Sequence, residues 1–358
     1  MRLIKYLFIL LMLVIGIVTV YLFDDSGFIG EKKDDSINAV ENAKVNTDYP
    51  LEISGWIAWW KEAEAYDLIQ KYSAQITNVS PVWFYVNKDL DLINVGDVDR
   101  LEVTRDMKNF EIDLVPSLGS ELDSEQLSLF LNDADRINVV VENLISQLVS
   151  LNVQGVDIDL EKIKKEDKDA FSQFLLNLSK RLKEENINLY VAVHAQTEKV
   201  EWEGVLGQDL GKIGDAADYV RIMTYDRHSC SNGPGAISPI DWMKDVALYN
   251  SNFIDAEKIV IGIPSYSYVW AGDECISLQY DELKKYLEGK SYTQKRDNES
   301  KELVFESEDF TAWLSDSEAM MKKIEGLREI GYDKFVIWSL GGMDEKLFSE
   351  QNVDTTIR

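Results

Sequence analysis

Residues 155–161 read GVDIDLE, a short segment in which aliphatic and acidic side chains alternate. Because successive side chains of a β-strand point to opposite faces, Asp157, Asp159 and Glu161 share one face and the aliphatic residues share the other. The segment lies in the middle of a series of predicted strands and helices, so both faces are predicted to be covered. Acids about 6–7 Å apart along a buried row cannot all ionise, and at least one pKa is expected to rise. A raised pKa on the outermost acid would suit a general acid near neutral pH.

The neighbouring sequence alternates short apolar runs with longer amphipathic ones, which is the pattern of β/α units. Eight runs are predicted to be strands: 53–59, 79–86, 112–118, 153–160, 187–194, 219–225, 258–264 and 334–340. Eight strands with helical patterns between them, over about 300 residues, predict an α/β fold, a (β/α)8 TIM barrel. A doubly wound open sheet is the rival, but it usually has fewer strands, and no glycine-rich dinucleotide motif follows the first run. In a barrel, the row of acids points inward and ends at the catalytic face.

Domain bounds follow from the same pattern. Residues 24–50 are polar, charged and without period, which predicts an acidic tether. Residues 51–358 are predicted to form the barrel domain, with a small insertion after the seventh strand at about 265–316. A monomer is expected.

The N-terminal residues 1–23 contain an uncharged, mostly apolar run from Tyr6 to Phe23, preceded by Arg2 and Lys5. About 18–20 apolar residues can cross a bilayer, so a transmembrane anchor is predicted. A cleaved signal peptide is the alternative, although its apolar run is usually about 7–15 residues and ends at small residues. The positive-inside rule places the remaining chain outside the cytoplasm, anchored to the membrane or secreted after cleavage.

The composition excludes other classes of protein. The chain has 358 residues, of which 45% are hydrophobic, and 37 basic against 64 acidic residues give a net charge of −27. Such an apolar content is typical of a globular body, since disordered acidic chains lack it. A surface this negative repels phosphate backbones, so no nucleic-acid partner is expected and a neutral substrate is favoured.

Neither a metal nor a cofactor is predicted. The two histidines, His194 and His228, are scattered without paired acids, and Cys230 and Cys275 form no CxxC pair. The cysteines fall in the loop after the sixth strand and in the insertion, which places them at one rim of the barrel. The sequence leaves open whether they form a disulfide.

Several motifs together resemble the family 18 glycoside hydrolases, the chitinase-like (β/α)8 enzymes. GVDIDLE matches the DxDxE signature of that family, residues 223–226 (MTYD) are similar to its M-x-Y-D motif, and Trp338 lies in FVIWSLGG, where the family has an indole. Further runs resemble the branch with bacterial spore-cortex and peptidoglycan N-acetylglucosaminidases: VSPVWFYV (79–86), NGPGAISPIDW (232–242) and GIPSYSYVW (262–270). The resemblance covers about residues 51–345.

The resemblance implies a role for each matching residue. Glu161 would protonate the leaving glycosidic oxygen, Asp159 would orient the substrate's N-acetyl group, and Asp157 would lie beneath it. Tyr225 would hydrogen-bond the acetamide, and Trp338 would form the floor under the sugar. The implied reaction is substrate-assisted retaining hydrolysis of β-1,4 bonds in a polysaccharide containing N-acetylglucosamine, peptidoglycan or chitin-like.

Other residues are candidates for the cleft. Met223 and Asp226 belong to the second motif, and the family uses the aspartate near the sugar. Rings stack on the apolar faces of sugars, so Trp83 and Trp270, near predicted strand ends, are candidate cleft residues, with core packing as the alternative.

Two questions stay open at this stage. Arg221 shares the face of Tyr225 on the sixth strand and needs a carboxylate partner, which is either Asp157 or another acid, inward or at the surface. The alternative to an enzyme is a catalytically weak or inactive glycan-binding barrel that acts as an envelope or germination factor. The presence of Glu161, Asp159 and Tyr225 favours the enzyme.

Overall fold

The structure is a computed structural model and describes residues 50–199 and 202–349. The predicted anchor at residues 1–23 and almost all of the predicted tether at 24–50 lie outside the described residues. Within the described part, no helix is both long and apolar enough to cross a membrane.

The strands of the described residues, in chain order, are β1 (Glu52–Ile57), β2 (Asn78–Val86), β3 (Leu92–Asn94), β4 (Asp113–Leu114), β5 (Ser117–Ser120), β6 (Gly155–Ile158), β7 (Asn188–His194), β8 (Tyr219–Met223), β9 (Ile259–Pro264), β10 (Tyr266–Ala271), β11 (Glu274–Gln279), β12 (Thr293–Arg296), β13 (Leu303–Glu306), β14 (Thr311–Leu314) and β15 (Lys334–Trp338).

The α-helices are α1 (Glu62–Tyr72), α2 (Arg100–Asn109), α3 (Ser124–Leu131), α4 (Ala134–Leu151), α5 (Lys168–Glu184), α6 (Leu210–Ala216), α7 (Ile240–Asn250), α8 (Tyr280–Leu287), α9 (Ser317–Arg328) and α10 (Lys346–Ser349). Several begin at an aspartate whose side chain accepts backbone N–H groups of the first turn, as Asp133 does for α4 and Asp316 for α9.

Eight parallel strands close into a barrel. Their order is β1-β15-β9-β8-β7-β6-β5-β2, and β2 pairs back with β1. The predicted (β/α)8 barrel is therefore confirmed. The third predicted strand differs in one respect, because Pro116 lies between β4 and β5 and has no N–H group to donate to a neighbouring strand.

The side chains of the barrel strands form two layers, one under the surrounding helices and one in the barrel interior. The aliphatic residues Val156, Ile158 and Leu160 are buried among the apolar residues of the surrounding helices. The barrel interior has its own small cluster, which includes Trp56 and Met223, with Tyr225 and Trp338 packed against it. The alternation of GVDIDLE therefore places its acids on the interior side.

The chain between β9 and α9, where the sequence predicts an insertion, folds as a five-stranded antiparallel sheet in the order β11-β10-β14-β13-β12. Helix α8 packs on it, and the two share an apolar core that includes Val269, Leu283 and Phe310. Because β10 begins two residues after the end of β9, the insertion starts at the C-terminal end of the barrel.

Candidate active site

The cleft opens at the C-terminal ends of the barrel strands and has a volume of about 830 Å³. Asp159 and Glu161, which follow β6, line it together with Tyr225, Asp226 and Trp338. The alternation of side chains along one strand therefore directs the two acids into this cavity. Motifs at the ends of two strands much later in the chain line the same cavity.

Asp157 lies below the cleft, fully buried, and its Oδ2 accepts several hydrogen bonds. Trp56 Nε1 donates to it at 2.6 Å, Ser117 Oγ at 3.2 Å, and Arg221 Nη1 at 2.9 Å. The guanidinium of Arg221 is also fully buried. Asp157 is thus the partner of Arg221, which answers the question that the sequence left open.

The same guanidinium is held on its other sides. It donates to Ser80 Oγ at 2.5 Å and to Asn78 Oδ1 at 2.7 Å, and it lies over the ring of Tyr190 at 4.6 Å. A buried charge needs such partners, since an unpaired one costs several kcal/mol. The base of the site is therefore a fixed cation below the row of acids.

Asp159 is the middle acid, and its Oδ1 is buried with no hydrogen-bond partner among the described residues. Burial raises its pKa well above the ordinary value of 3.8, the negative charges of Glu161 and Asp157 raise it further, and Arg221 lowers it. The raised pKa that the sequence predicts for the row thus falls on the middle acid, where burial and two like charges act together. Asp159 can hold a proton, and its unpartnered oxygen can receive a ligand N–H.

Glu161 is exposed at the rim of the cleft. Its backbone carbonyl lies 3.1 Å from Nε2 of His194, the last residue of β7. Burial lowers the pKa of His194, although the charges of Glu161 and Asp226 oppose that effect. A carboxyl at the mouth of a cleft, above a second one whose pKa is raised, is placed to exchange a proton with a bound molecule.

Tyr225 and Asp226 follow β8 and complete one wall. Burial raises the pKa of Tyr225 well above 10.0, and the charges of Asp159 and Asp226 add to the effect, so its hydroxyl stays protonated. Tyr266 and Tyr268 of β10 donate their hydroxyl groups to Asp226 Oδ1, the latter at 2.9 Å. The insertion therefore contributes directly to this wall.

Trp338 ends β15 and packs edge-to-face against Trp56, with their ring centroids 5.9 Å apart. Met223 is buried at the end of β8, belongs to the same interior cluster as these rings and lines the cleft. An indole beside protonatable carboxyls offers an apolar face to a sugar ring.

The other two predicted cleft tryptophans lie elsewhere. Trp83 is fully buried in the layer under the helices, where its Nε1 donates to Glu62 at 3.1 Å, so core packing is the correct reading. Trp270 is only 9% exposed, pairs with Cys275 across β10 and β11, and packs against Tyr268 with the ring centroids 5.6 Å apart, so it lies behind the wall and does not line the cleft. Its strand β10 lies within the insertion sheet, between β11 and β14.

Three aromatic residues at the site were not predicted from the sequence. Trp56 was not among the predicted site residues, although its position on the first predicted strand already directs it to the interior. Tyr266 was not predicted to reach the site, and the alternation of Tyr266 and Tyr268 directly after β9 is the sequence signal for it. Trp202, which is 53% exposed and lies edge-on to His194, also lines the cleft.

Cys230 and Cys275 form a disulfide with their Cα atoms 5.3 Å apart. It joins the loop after Asp226 to β11 of the insertion. As for metals, the described ranges contain no group of three or more His, Cys, Asp or Glu residues arranged to hold an ion.

The barrel, the row of acids and the aromatic floor define a carbohydrate-cleaving enzyme of the (β/α)8 class. The family model "Glycosyl hydrolases family 18" matches residues 55–344, so the chain belongs to that family and is a glycosidase. The resemblance stated from the motifs is confirmed.

Individual relatives agree with this assignment. The chain is 22% identical over 301 residues to the "Uncharacterized glycosylase YvbX" of Bacillus subtilis, covering 80% of this chain and 87% of that one. The crystal structure of the spore cortex-lytic enzyme SleL of Bacillus megaterium matches with a TM-score of 0.74 and 21% identity, over 86% of this chain and 74% of that one. A chitinase from Chromobacterium violaceum matches with a TM-score of 0.76 and 21% identity, over 86% and 100%. At such identities the structures show the common fold.

Proposed function

We propose that this glycosidase cleaves β-1,4 bonds next to N-acetylglucosamine by substrate-assisted retaining hydrolysis. One observation supports the proposal most strongly: Asp159 has a raised pKa and an unpartnered buried oxygen, between an exposed Glu161 and a fixed Asp157–Arg221 pair. Such a centre suits a substrate that contains its own nucleophile, because the enzyme then supplies only one general acid and one group that orients the nucleophile.

In the first step, Glu161 donates a proton to the glycosidic oxygen as its bond to the anomeric carbon breaks. The acetamide oxygen of the same sugar forms a bond to that carbon, which gives a cyclic oxazolinium ion. Asp159 accepts the acetamide N–H as positive charge develops on it, and the Tyr225 hydroxyl donates to the acetamide oxygen. Water then attacks the anomeric carbon, Glu161 takes its proton, and the ring opens with the original configuration retained.

The alternative is an enzyme carboxylate that attacks the sugar directly. Retaining enzymes of that kind place two carboxyls about 5–5.5 Å apart on opposite sides of the scissile bond. Asp159 and Glu161 instead follow the same strand, one below the other. Asp226, the other acid of that wall, already accepts two tyrosine hydroxyls.

Peptidoglycan is the substrate that we favour, with chitin-like glycans as the alternative. The motifs at 79–86, 232–242 and 262–270 support the first, as does the likeness to a spore cortex-lytic enzyme. The likeness to a chitinase supports the second. Both glycans carry the N-acetyl group that the mechanism requires.

The decisive experiment replaces the proposed acid. Glu161→Gln should lower kcat by at least about 10³-fold while glycan binding survives, because the amide cannot donate the proton but keeps the shape of the side chain. Glu166→Gln is the matched control, since Glu166 is exposed outside the cleft, and it should keep wild-type rates. Wild-type turnover by Glu161→Gln would reject the assigned acid.

Two further measurements test the mechanism and the substrate. A thiazoline analogue of the oxazolinium ion should inhibit, and oligosaccharides without the N-acetyl group should not be cleaved. Digestion of purified peptidoglycan and chitin oligomers side by side, with mass spectrometry of the new reducing ends, identifies the preferred glycan and the bond. Equal cleavage of deacetylated substrates would contradict substrate assistance.

The proposal includes a location outside the cytoplasm, with the domain anchored by residues 1–23. The charge pattern of that segment supports it, and so does the disulfide, since such bonds persist in oxidising compartments. In cell fractionation, the full chain should be in the membrane fraction and open to external protease. A chain without residues 1–23 should remain in the cytoplasm.

A further inference from the structure

A second buried ion pair lies in the structure, away from the row of acids. Lys323 of α9 donates to Glu302 at 2.8 Å, and neither side chain is exposed to solvent. Among the described ion pairs, only this one and Arg221–Asp157 are fully buried at both ends. Buried pairs are weak stabilisers compared with apolar residues of similar size, so the presence of this pair calls for another explanation.

Glu302 belongs to the insertion, directly before β13, but its carboxylate is directed toward the barrel. Its Oε2 accepts the backbone N–H of Ile237 at 2.8 Å, and its Oε1 accepts that of Ser238 at 2.9 Å. These two residues end the loop that begins at Asp226. One carboxylate therefore binds two successive N–H groups of a loop of the active-site wall.

The two residues held by Glu302 are bonded to both sides of the Tyr225–Asp226 pair. Ser238 Oγ donates to the backbone carbonyl of Thr224, which precedes the pair. The backbone N–H of Arg227, which follows the pair, donates to the carbonyl of Ile237 at 2.9 Å. Two hydrogen bonds in series thus connect the Glu302 carboxylate to Thr224, before the pair, and to Arg227, after it.

The backbone conformation of Asp226 needs stabilising contacts. Asp226 has φ +61°, in the left-handed region that residues other than glycine rarely adopt. Such a conformation persists only where the surroundings fix it. The hydroxyls of Tyr266 and Tyr268 hold the Asp226 side chain, and the network from Glu302 holds the chain on both sides of it.

We propose that Glu302, held in place by Lys323, is a positioning residue for Tyr225 and Asp226. The insertion then fixes one wall of the active site through a buried carboxylate, in addition to any contact that it makes with the glycan. The effect expected on kcat rests on the proposed function, while the effect expected on amide exchange in the loop does not.

The first test is Glu302→Gln. The amide has a single acceptor oxygen for two loop N–H groups and leaves the Lys323 charge without its anion. We expect kcat on an N-acetylated oligosaccharide to fall by about 10- to 100-fold, as misplacement near the reacting atoms does, with a change in KM below about threefold. Unchanged kcat would overturn the proposal.

A double variant separates positioning from simple stabilisation. Glu302→Gln with Lys323→Met removes the unpaired charge, so its melting temperature should recover toward wild type while kcat stays low. Recovery of both would show that the pair only stabilises the fold and would overturn the proposal. The matched control is Glu306→Gln, which breaks the exposed Lys295–Glu306 pair in the same insertion and should leave both quantities unchanged.

Hydrogen–deuterium exchange tests the network without any substrate. The amides of Ile237 and Ser238 should exchange at least about tenfold faster in both Glu302 variants than in the wild type and in Glu306→Gln. Equal exchange would overturn the proposal. A wild-type protein inactive on every glycan would instead reject the proposed function, and this exchange result would still stand.

Discussion

Asp159 connects the stability of the fold to the chemistry proposed for it. Its pKa is raised first by burial and then by two neighbouring carboxyls, against the opposing effect of Arg221. The protonated form therefore stabilises the folded state. That contribution is complete below the unfolded-state pKa and is lost as the pH rises through the raised folded-state pKa.

An Asp159→Asn variant should reveal this dependence. The amide is neutral at every pH and resembles the protonated acid, so the melting temperature of the variant relative to wild type should increase from about pH 4 to about pH 8. At this size, 1 kcal/mol corresponds to about 2 °C, and a gain of a few degrees is expected. The control is Asp273→Asn, an exposed aspartate in the turn before β11. A difference that is equal at both pH values would contradict the raised pKa.

Parity along a strand was sufficient to predict part of this centre from the sequence. It placed Asp157, Asp159 and Glu161 on one face, and it placed Arg221 on the inward face of another strand. It could not identify the partner of Arg221, because β6 and β8 are separated by β7 and the contact crosses the barrel interior. Side-chain alternation also could not distinguish Trp83 from a cleft residue, since an aromatic side chain is equally suited to a buried core and to a binding site.

Among the secondary-structure elements, the barrel strands and the place of the insertion were predictable from the sequence, but the fold of the insertion was not. Each barrel strand is a local apolar run, and its predicted bounds agree with the structure to within one or two residues for most strands. The insertion appeared only as a long gap, because β12 (TQKR) has polar side chains and little alternation. Its contacts to Asp226 depend on tertiary packing, which no local pattern reports.

The disulfide is the covalent link between the loop after β8 and the insertion. It closes a segment with a sequence separation of 45 residues, for which the chain-entropy model gives about 4 kcal/mol of stabilisation. Replacing both Cys230 and Cys275 by Ser should therefore lower the melting temperature by several degrees. Thiol titration of the unfolded, non-reduced protein should find no free thiol, and two free thiols per chain would contradict the bond.

The net charge of −27 acts on every charged glycan that approaches the protein. Three acids of the row account for a small part of it, and the Asp157–Arg221 pair neutralises one of them locally. The remaining negative charge opposes close approach of an anionic wall polymer. The cleft aromatics and the acetamide contacts would then supply the affinity, since long-range attraction does not.

This charge predicts different salt responses for two substrates. The Debye length falls from about 30 Å at 0.01 M to about 8 Å at 0.15 M ionic strength, so added salt screens the repulsion between this chain and anionic peptidoglycan. Over that range, kcat/KM on soluble peptidoglycan fragments should rise severalfold, mainly through KM, because encounter is the step that repulsion slows. On neutral chitin oligomers it should stay constant, which makes them the internal control. A fall in kcat/KM on peptidoglycan with salt would instead indicate a cationic path to the cleft that outweighs the net charge.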